Sequence, residues 1–196
     1  MDAFNLLKAD HRKVAELFDE LESASGKQKL TVFAQIKTEL ELHTHIEETI
    51  FYPALEEPKE THDLTLEAYE EHNVVKSLLK ELSKARSADD EWDAKAKVLR
   101  ENVEHHVEEE ENELFKKASK ALSRDEIETL GEQMQSEKER KQRTGTKKSA
   151  SKSASKTKSA STAQKRNRAS KKSASKSSSK SSTTTKKSRK SAAKKR

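Results

Sequence analysis

"LHTHIEETIFYP" over residues 42–53 and "HHVEEEENELFK" over residues 105–116 are two versions of one segment, and their reading decides the fold. Each contains His-x-x-x-Glu, as His43 with Glu47 and as His106 with Glu110. Four residues is close to one α-helical turn, so the members of each pair lie one above the other on a single face. That face continues as an apolar stripe at steps of three and four. Phe33, Ile36 and Leu40 precede His43, with Ile50 after Glu47; Trp92, Ala96, Leu99 and Val103 precede His106, with Leu114 and Ala118 after Glu110. The apolar stripe is the side a helix buries, so each seam is expected to carry a His and a Glu into the core.

Two more seams each carry one histidine. The first runs from roughly Ala3 to Ser23 through Phe4, Leu7, Val14, Leu17, Phe18 and Leu21, with His11 on the stripe. Another runs from roughly His62 to Arg86 through Ala68, Val75, Leu79 and Leu82, with His72 on the stripe. "DHRKVAELFDEL" from Asp10 aligns with "EHNVVKSLLKEL" from Glu71, so the chain repeats a hairpin of two helices. Two such hairpins imply an all-α fold, an antiparallel up-down four-helix bundle with pseudo-twofold symmetry over residues 1–122. Ser123-Arg-Asp-Glu126 fits a capping box and opens a short fifth helix over 123–140.

Inside such a bundle, His11, His43, Glu47, His72, His106 and Glu110 converge. Buried carboxylates without partners are costly, and two side by side force a proton onto one of them. A pair of metal ions removes both penalties, with the carboxylates bridging and the imidazoles outside. The chain has no Cys, so thiolate sites and disulfides are excluded, and a His and carboxylate donor set suits iron, with zinc or manganese as alternatives. Tyr69, one turn before His72, and His105, beside His106, are candidates to support this set from outside. His45 and His62 read as surface residues, and Glu48 and Glu111, turned about 100° from Glu47 and Glu110, as solvated or supporting ones.

Charge divides the chain. Residues 141–196 hold 21 Lys or Arg and no Asp or Glu, leaving 20 basic against 35 acidic residues before them. Text such as "KKSASKSASKTK" contains no apolar residue larger than Ala, so residues 141–196 are expected to be a disordered basic tail. As a flexible coil it would span about 40 Å. Its charge density suits sequence-independent attraction to nucleic-acid phosphates, and the absence of aromatic residues argues against base stacking. No apolar run is long enough to cross a bilayer and no secretory pattern opens the chain, so a cytoplasmic protein without membrane contact is expected. Three glycines leave no phosphate-binding loop.

The four motifs "ADHRKVAELFDEL", "ELELHTHIEETIFYPAL", "EEHNVVKSLLKEL" and "VEHHVEEEENELF" together resemble the hemerythrin-like proteins with an HHE cation-binding domain, across roughly Met1 to Leu122. The Lys/Ser/Ala-rich tail resembles those of histone-like proteins in composition. The resemblance implies a non-haem di-iron centre bridged by carboxylates and an oxo or hydroxo group, held by the six residues named above. Oxygen-carrying hemerythrins have a further His where this chain has Lys76, and an Asp five residues after the fourth-helix His where Glu110 stands four after His106. Both departures favour oxidant, O2 or NO sensing, scavenging or iron binding over reversible O2 carriage. Peroxide decomposition is one activity of such a site, though no dedicated enzyme is indicated. Joined to the tail, these features predict a nucleoid-associated protein; the alternatives are a metal-regulated nucleic-acid-binding module and an O2-binding protein.

Overall fold

A computed structural model describes residues 1–144; the remainder of the expected tail lies outside the described residues. All regular structure among the described residues is helical. Helix α1 spans Ala3–Ser23 and α2 Lys27–Ile46. A π turn over Glu47–Phe51 and a 3₁₀ turn over Tyr52–Ala54 extend α2. Helix α3 spans Lys59–Leu82 and α4 Asp90–Glu109, and a second π turn over Glu110–Leu114 leads into α5, Phe115–Ala121. The last helix, α6, covers 124–144. The stripe from Trp92 to Ala118 therefore runs through three segments, and the last helix runs four residues beyond its expected end at 140.

Local chemistry explains the boundaries. Asp2 caps α1 by accepting from the Asn5 amide at 2.8 Å, and Asp89 caps α4 from the Trp92 amide at 2.9 Å. Gly26 takes φ +55° between α1 and α2, a conformation only glycine adopts freely. Before α6, the Ser123 amide and hydroxyl both donate to Glu126 Oε2, and the Glu126 amide points back at the Ser123 hydroxyl at 3.3 Å.

Helix α1 packs along α2 and α3 along α4, and the pairs meet where α1 faces α4 and α2 faces α3. The interior has three layers. At one end Phe18, Phe33, Ile36, Leu79, Trp92 and Leu99 form an apolar cluster, with Phe33 edge-on to Trp92 at 5.4 Å. At the other end Leu7, Ile46, Phe51, Tyr52, Leu55 and Phe115 form a second. Between them lie buried His11, His43, Glu47, His72, His106 and Glu110.

Helix α6 belongs to the second cluster through Ile127 and Met134. It lies so close to the start of α1 that a Cβ on Gly131 would stand 2.4 Å from the Met1 carbonyl oxygen and 2.6 Å from the Ala3 nitrogen. Gly131→Ala gains roughly 1 kcal/mol of helix propensity but forces two backbones apart at about 1–3 kcal/mol. Neither of the clashing atoms can rotate away. The variant is expected to melt several degrees lower by circular dichroism, whereas Glu132→Ala, on the exposed side, leaves the transition unmoved.

Candidate metal centre

The two π turns begin at the two buried glutamates, and each is closed by a bond across five residues, Tyr52 N–H to Glu47 O and Phe115 N–H to Glu110 O. Such a turn holds one residue more than an α turn, so it swings the residue five places on toward the face occupied by the first. Tyr52 and Phe115 are thereby placed against the histidine layer. The Phe115 ring is parallel to His11 at 6.3 Å, and Tyr52 lies 5.4 Å from the His72 ring.

The six residues meet through their inner atoms. His11 Nε2 is 3.2 Å from Glu110 Oε2 and His43 Nε2 is 3.2 Å from Glu47 Oε1. His72 Nε2 stands 3.4 Å from Glu47 Oε2 and 3.3 Å from His106 Nε2. Two sets result: His11, His43, Glu47 and Glu110 converge within 4.8 Å, as do Glu47, His72 and His106. Glu47 belongs to both.

Each imidazole presents its outer nitrogen to a carboxylate. Three Nδ1–H groups donate at 2.7–2.9 Å: His11 to Glu111, His72 to Glu48 and His106 to Glu71. His43 Nδ1 is 3.8 Å from Asp10, too far for a hydrogen bond. The arrangement obeys the internal repeat, because Asp10 and Glu71 precede the lone histidines while Glu48 and Glu111 follow the buried glutamates. Protons held at Nδ1 turn the Nε2 lone pairs inward, as metal-bound histidines require.

This donor set fits metal ions. His11 Nε2, His43 Nε2, Glu110 Oε2 and both Glu47 oxygens are buried with no hydrogen-bond partner, although native interiors satisfy almost every such atom. The facing Nε2 atoms of His72 and His106 repel one another unless a cation or proton lies between. Above them is a cavity of about 20 Å³ between the four histidines and Val14, Leu40, Val75 and Val103, room for one water-sized molecule.

Electrostatics give the same answer. Burial and the nearby Glu110 push the Glu47 carboxyl well above its usual value. Glu110 is itself buried, but the imidazoles of His11, 3.2 Å away, and His106 hold it down at about 2. Burial alone would lower His11, yet Glu110 and Glu47 raise it to about 9; burial dominates at His43 and lowers it to about 4. Near neutral pH the proton on His11 therefore stands in for part of a metal's charge, and Glu47 holds its own proton more tightly than a free carboxyl does. Loading must expel the His11 proton, while His43 and Glu110 release none. Affinity is thus expected to rise by about tenfold per pH unit between pH 6 and 8, with about one proton released to a pH indicator.

Of the residues expected to support the histidines, Tyr69 instead donates its hydroxyl to Glu56 at 2.9 Å. Tyr52 takes that place, its hydroxyl 3.3 Å from His72 Nε2 and 3.4 Å from Glu110 Oε1, with one proton to offer. Tyr52→Phe, which copies Phe115 in the other half, is expected to cost about 1 kcal/mol, and Tyr69→Phe under about 0.5 kcal/mol, by urea denaturation. His105 is exposed and reaches Glu71 and Glu109 rather than the inner set. Lys76 turns outward to Glu48, at 2.6 Å from Oε2.

Comparison with known proteins agrees with this geometry. The hemerythrin HHE cation-binding domain family matches residues 2–118. A hemerythrin HHE cation-binding domain-containing protein of Mycobacterium kansasii has the same fold at a TM-score of 0.64 and 24% identity, over 71% of this chain and 86% of that one. A protein of Nostoc sp. named DNA nickase is 30% identical over 147 residues, which is 74% of this chain but 42% of that protein. The family match spans more than half the sequence and takes in all six converging residues. This chain belongs to the hemerythrin HHE cation-binding domain family.

Proposed function

We propose that His11, His43, Glu47, His72, His106 and Glu110 hold a non-haem di-iron centre in an up-down four-helix bundle. The centre senses or removes a small oxidant, with O2, peroxide and NO as its candidate ligands. The observation that carries this reading is the sharing of Glu47 by two buried donor sets whose inward atoms have no other partner. Iron bound there would supply redox chemistry toward such molecules. The protein's own part is to orient three of the four imidazoles through outer carboxylates, to limit access to a ligand of one or two heavy atoms, and to offer the Tyr52 proton beside His72 and Glu110. The test is the optical spectrum of aerobically purified protein before and after peroxide or NO. An iron-dependent near-ultraviolet band that responds to either supports the reading, and a featureless spectrum from iron-loaded protein contradicts it.

The basic segment is proposed to hold this centre at DNA, as a cytoplasmic, nucleoid-associated protein. No helix among the described residues is long and apolar enough to cross a membrane. The likeness to the Nostoc DNA nickase favours a second reading, in which the chain itself nicks DNA. A phosphodiester does not fit the cavity of about 20 Å³, so nicking would need another surface. Conversion of supercoiled plasmid to open circles by metal-loaded protein would support that reading, and intact plasmid after long incubation would remove it.

A further inference from the structure

On α4, one residue before His106, His105 projects into solvent with its side chain 63% exposed. Its Nε2 is 3.5 Å from Glu109 Oε1 and 3.9 Å from Glu71 Oε1, and one donor atom from each of the three lies within 4.8 Å of the others. A His four residues before a Glu on a helix surface is by itself an ordinary ion pair. Glu71 distinguishes this one. Its Oε2 accepts from His106 Nδ1 at 2.7 Å, so a single carboxylate touches both the surface group and a buried imidazole.

A narrow crevice runs beneath the group. Its walls are Glu71 and Glu109 from the surface and His106 and Glu110 from the buried set, closed in by Leu64, Ala68 and Leu114. The crevice is small, about 10 Å³, and carboxylates of both the surface group and the buried set border it.

The pseudo-twofold axis provides an internal control. The counterparts of Glu71, His105 and Glu109 are Asp10, Leu42 and Ile46. Leu42 and Ile46 are buried apolar residues, and Asp10 is 7% exposed beneath Lys138 of α6. On that face α6 also anchors through Glu137 to His45 at 2.7 Å. One of the two equivalent faces is sealed by a helix, and the other carries a His and two carboxylates over a crevice.

We propose that Glu71, His105 and Glu109 form a surface site that captures a divalent cation and passes it through this crevice to the buried cluster. The donors are one imidazole and two carboxylates, a set that takes Fe2+, Mn2+, Co2+ or Zn2+ and leaves positions for water. The capture is weak and exchangeable, since only three groups take part, one exposed and two half-buried. The idea rests on the reading of the buried cluster as a metal centre.

Co2+ uptake by the chelator-stripped full chain, followed by stopped-flow absorbance, tests it. The wild type is expected to load two tightly held ions at a rate that saturates with Co2+, the mark of capture before transfer. His105→Ala should load the same two ions about tenfold more slowly and without saturation, as should Glu109→Gln, while His62→Ala behaves as wild type. Loading of His105→Ala at the wild-type rate would overturn the proposal. If the wild type holds no tight Co2+, the buried-centre reading has failed, and the surface site is then decided by NMR with Mn2+. Selective broadening of the His105 ring supports capture, and an unbroadened ring at millimolar Mn2+ refutes it.

Discussion

Glu47→Gln is expected to strip the protein of both metal ions while leaving it folded. Glu47 is the one side chain common to the two donor sets, so its replacement takes a carboxylate from each. A neutral amide neither balances a cation's charge nor bridges two. In the wild type, metal present at a thousand times its dissociation constant stabilises the fold by about 4 kcal/mol, the amount a chelator should remove. For Glu47→Gln the chelator should change the melting point by less than a degree.

The metal-free proteins should rank in the opposite order. Burial and Glu110 raise the Glu47 pKa in the folded chain, so its contribution to stability is greatest below the unfolded value of about 4.5. That contribution is lost as pH rises toward the folded value. Gln keeps the volume and cannot ionise, so at pH 8 metal-free Glu47→Gln should equal or exceed metal-free wild type in thermal stability. A variant that melted far lower with and without metal would mean Glu47 serves packing instead.

Deleting residues 145–196 is expected to produce the other large effect, loss of affinity for duplex DNA. The deletion removes 19 of the chain's 41 Lys and Arg and no acidic residue. If about ten of those cations neutralise phosphates, affinity of the intact chain falls by roughly 10³- to 10⁵-fold between 50 and 200 mM salt. The truncated protein, with a net negative charge, should show no binding in the same fluorescence-anisotropy titration. Its α6, held by Ile127, Met134 and the capping box at Ser123, should leave the circular dichroism of the body unchanged. Equal DNA binding by both forms, or binding indifferent to salt, would contradict a tail that works by counterion release.

The seams were legible because His11, His43, Glu47, His72, His106 and Glu110 fall on 3.6-residue stripes, and the repeat placed them in matching positions. Residues just beyond the glutamates were not legible in this way. Neither "EETIF" nor "EENEL" marks a π turn, and the constant 3.6 period carries the stripe to Ile50 instead of Tyr52. That constant period points to Tyr69, one turn before His72, for the hydroxyl beside the histidines. Asp10 and Glu71 stood at equivalent places in the aligned repeats, a signal that could have marked both as imidazole partners. Their partners lie on other helices, though, and distances between helices depend on packing that no single helix encodes. The docking of α6 was hidden for a similar reason, since Gly131 gains meaning only once the start of α1 lies against it.

The central claim is that one buried carboxylate joins two metal positions in the histidine layer. Anomalous scattering from crystals of the iron-loaded full chain, measured on both sides of the iron absorption edge, tests it most directly. The expected map has two peaks per chain, one beside His11 and His43 and one beside His72 and His106, with Glu47 between them. A single peak, or iron found only elsewhere while the four Nε2 atoms hydrogen-bond among themselves, would contradict it.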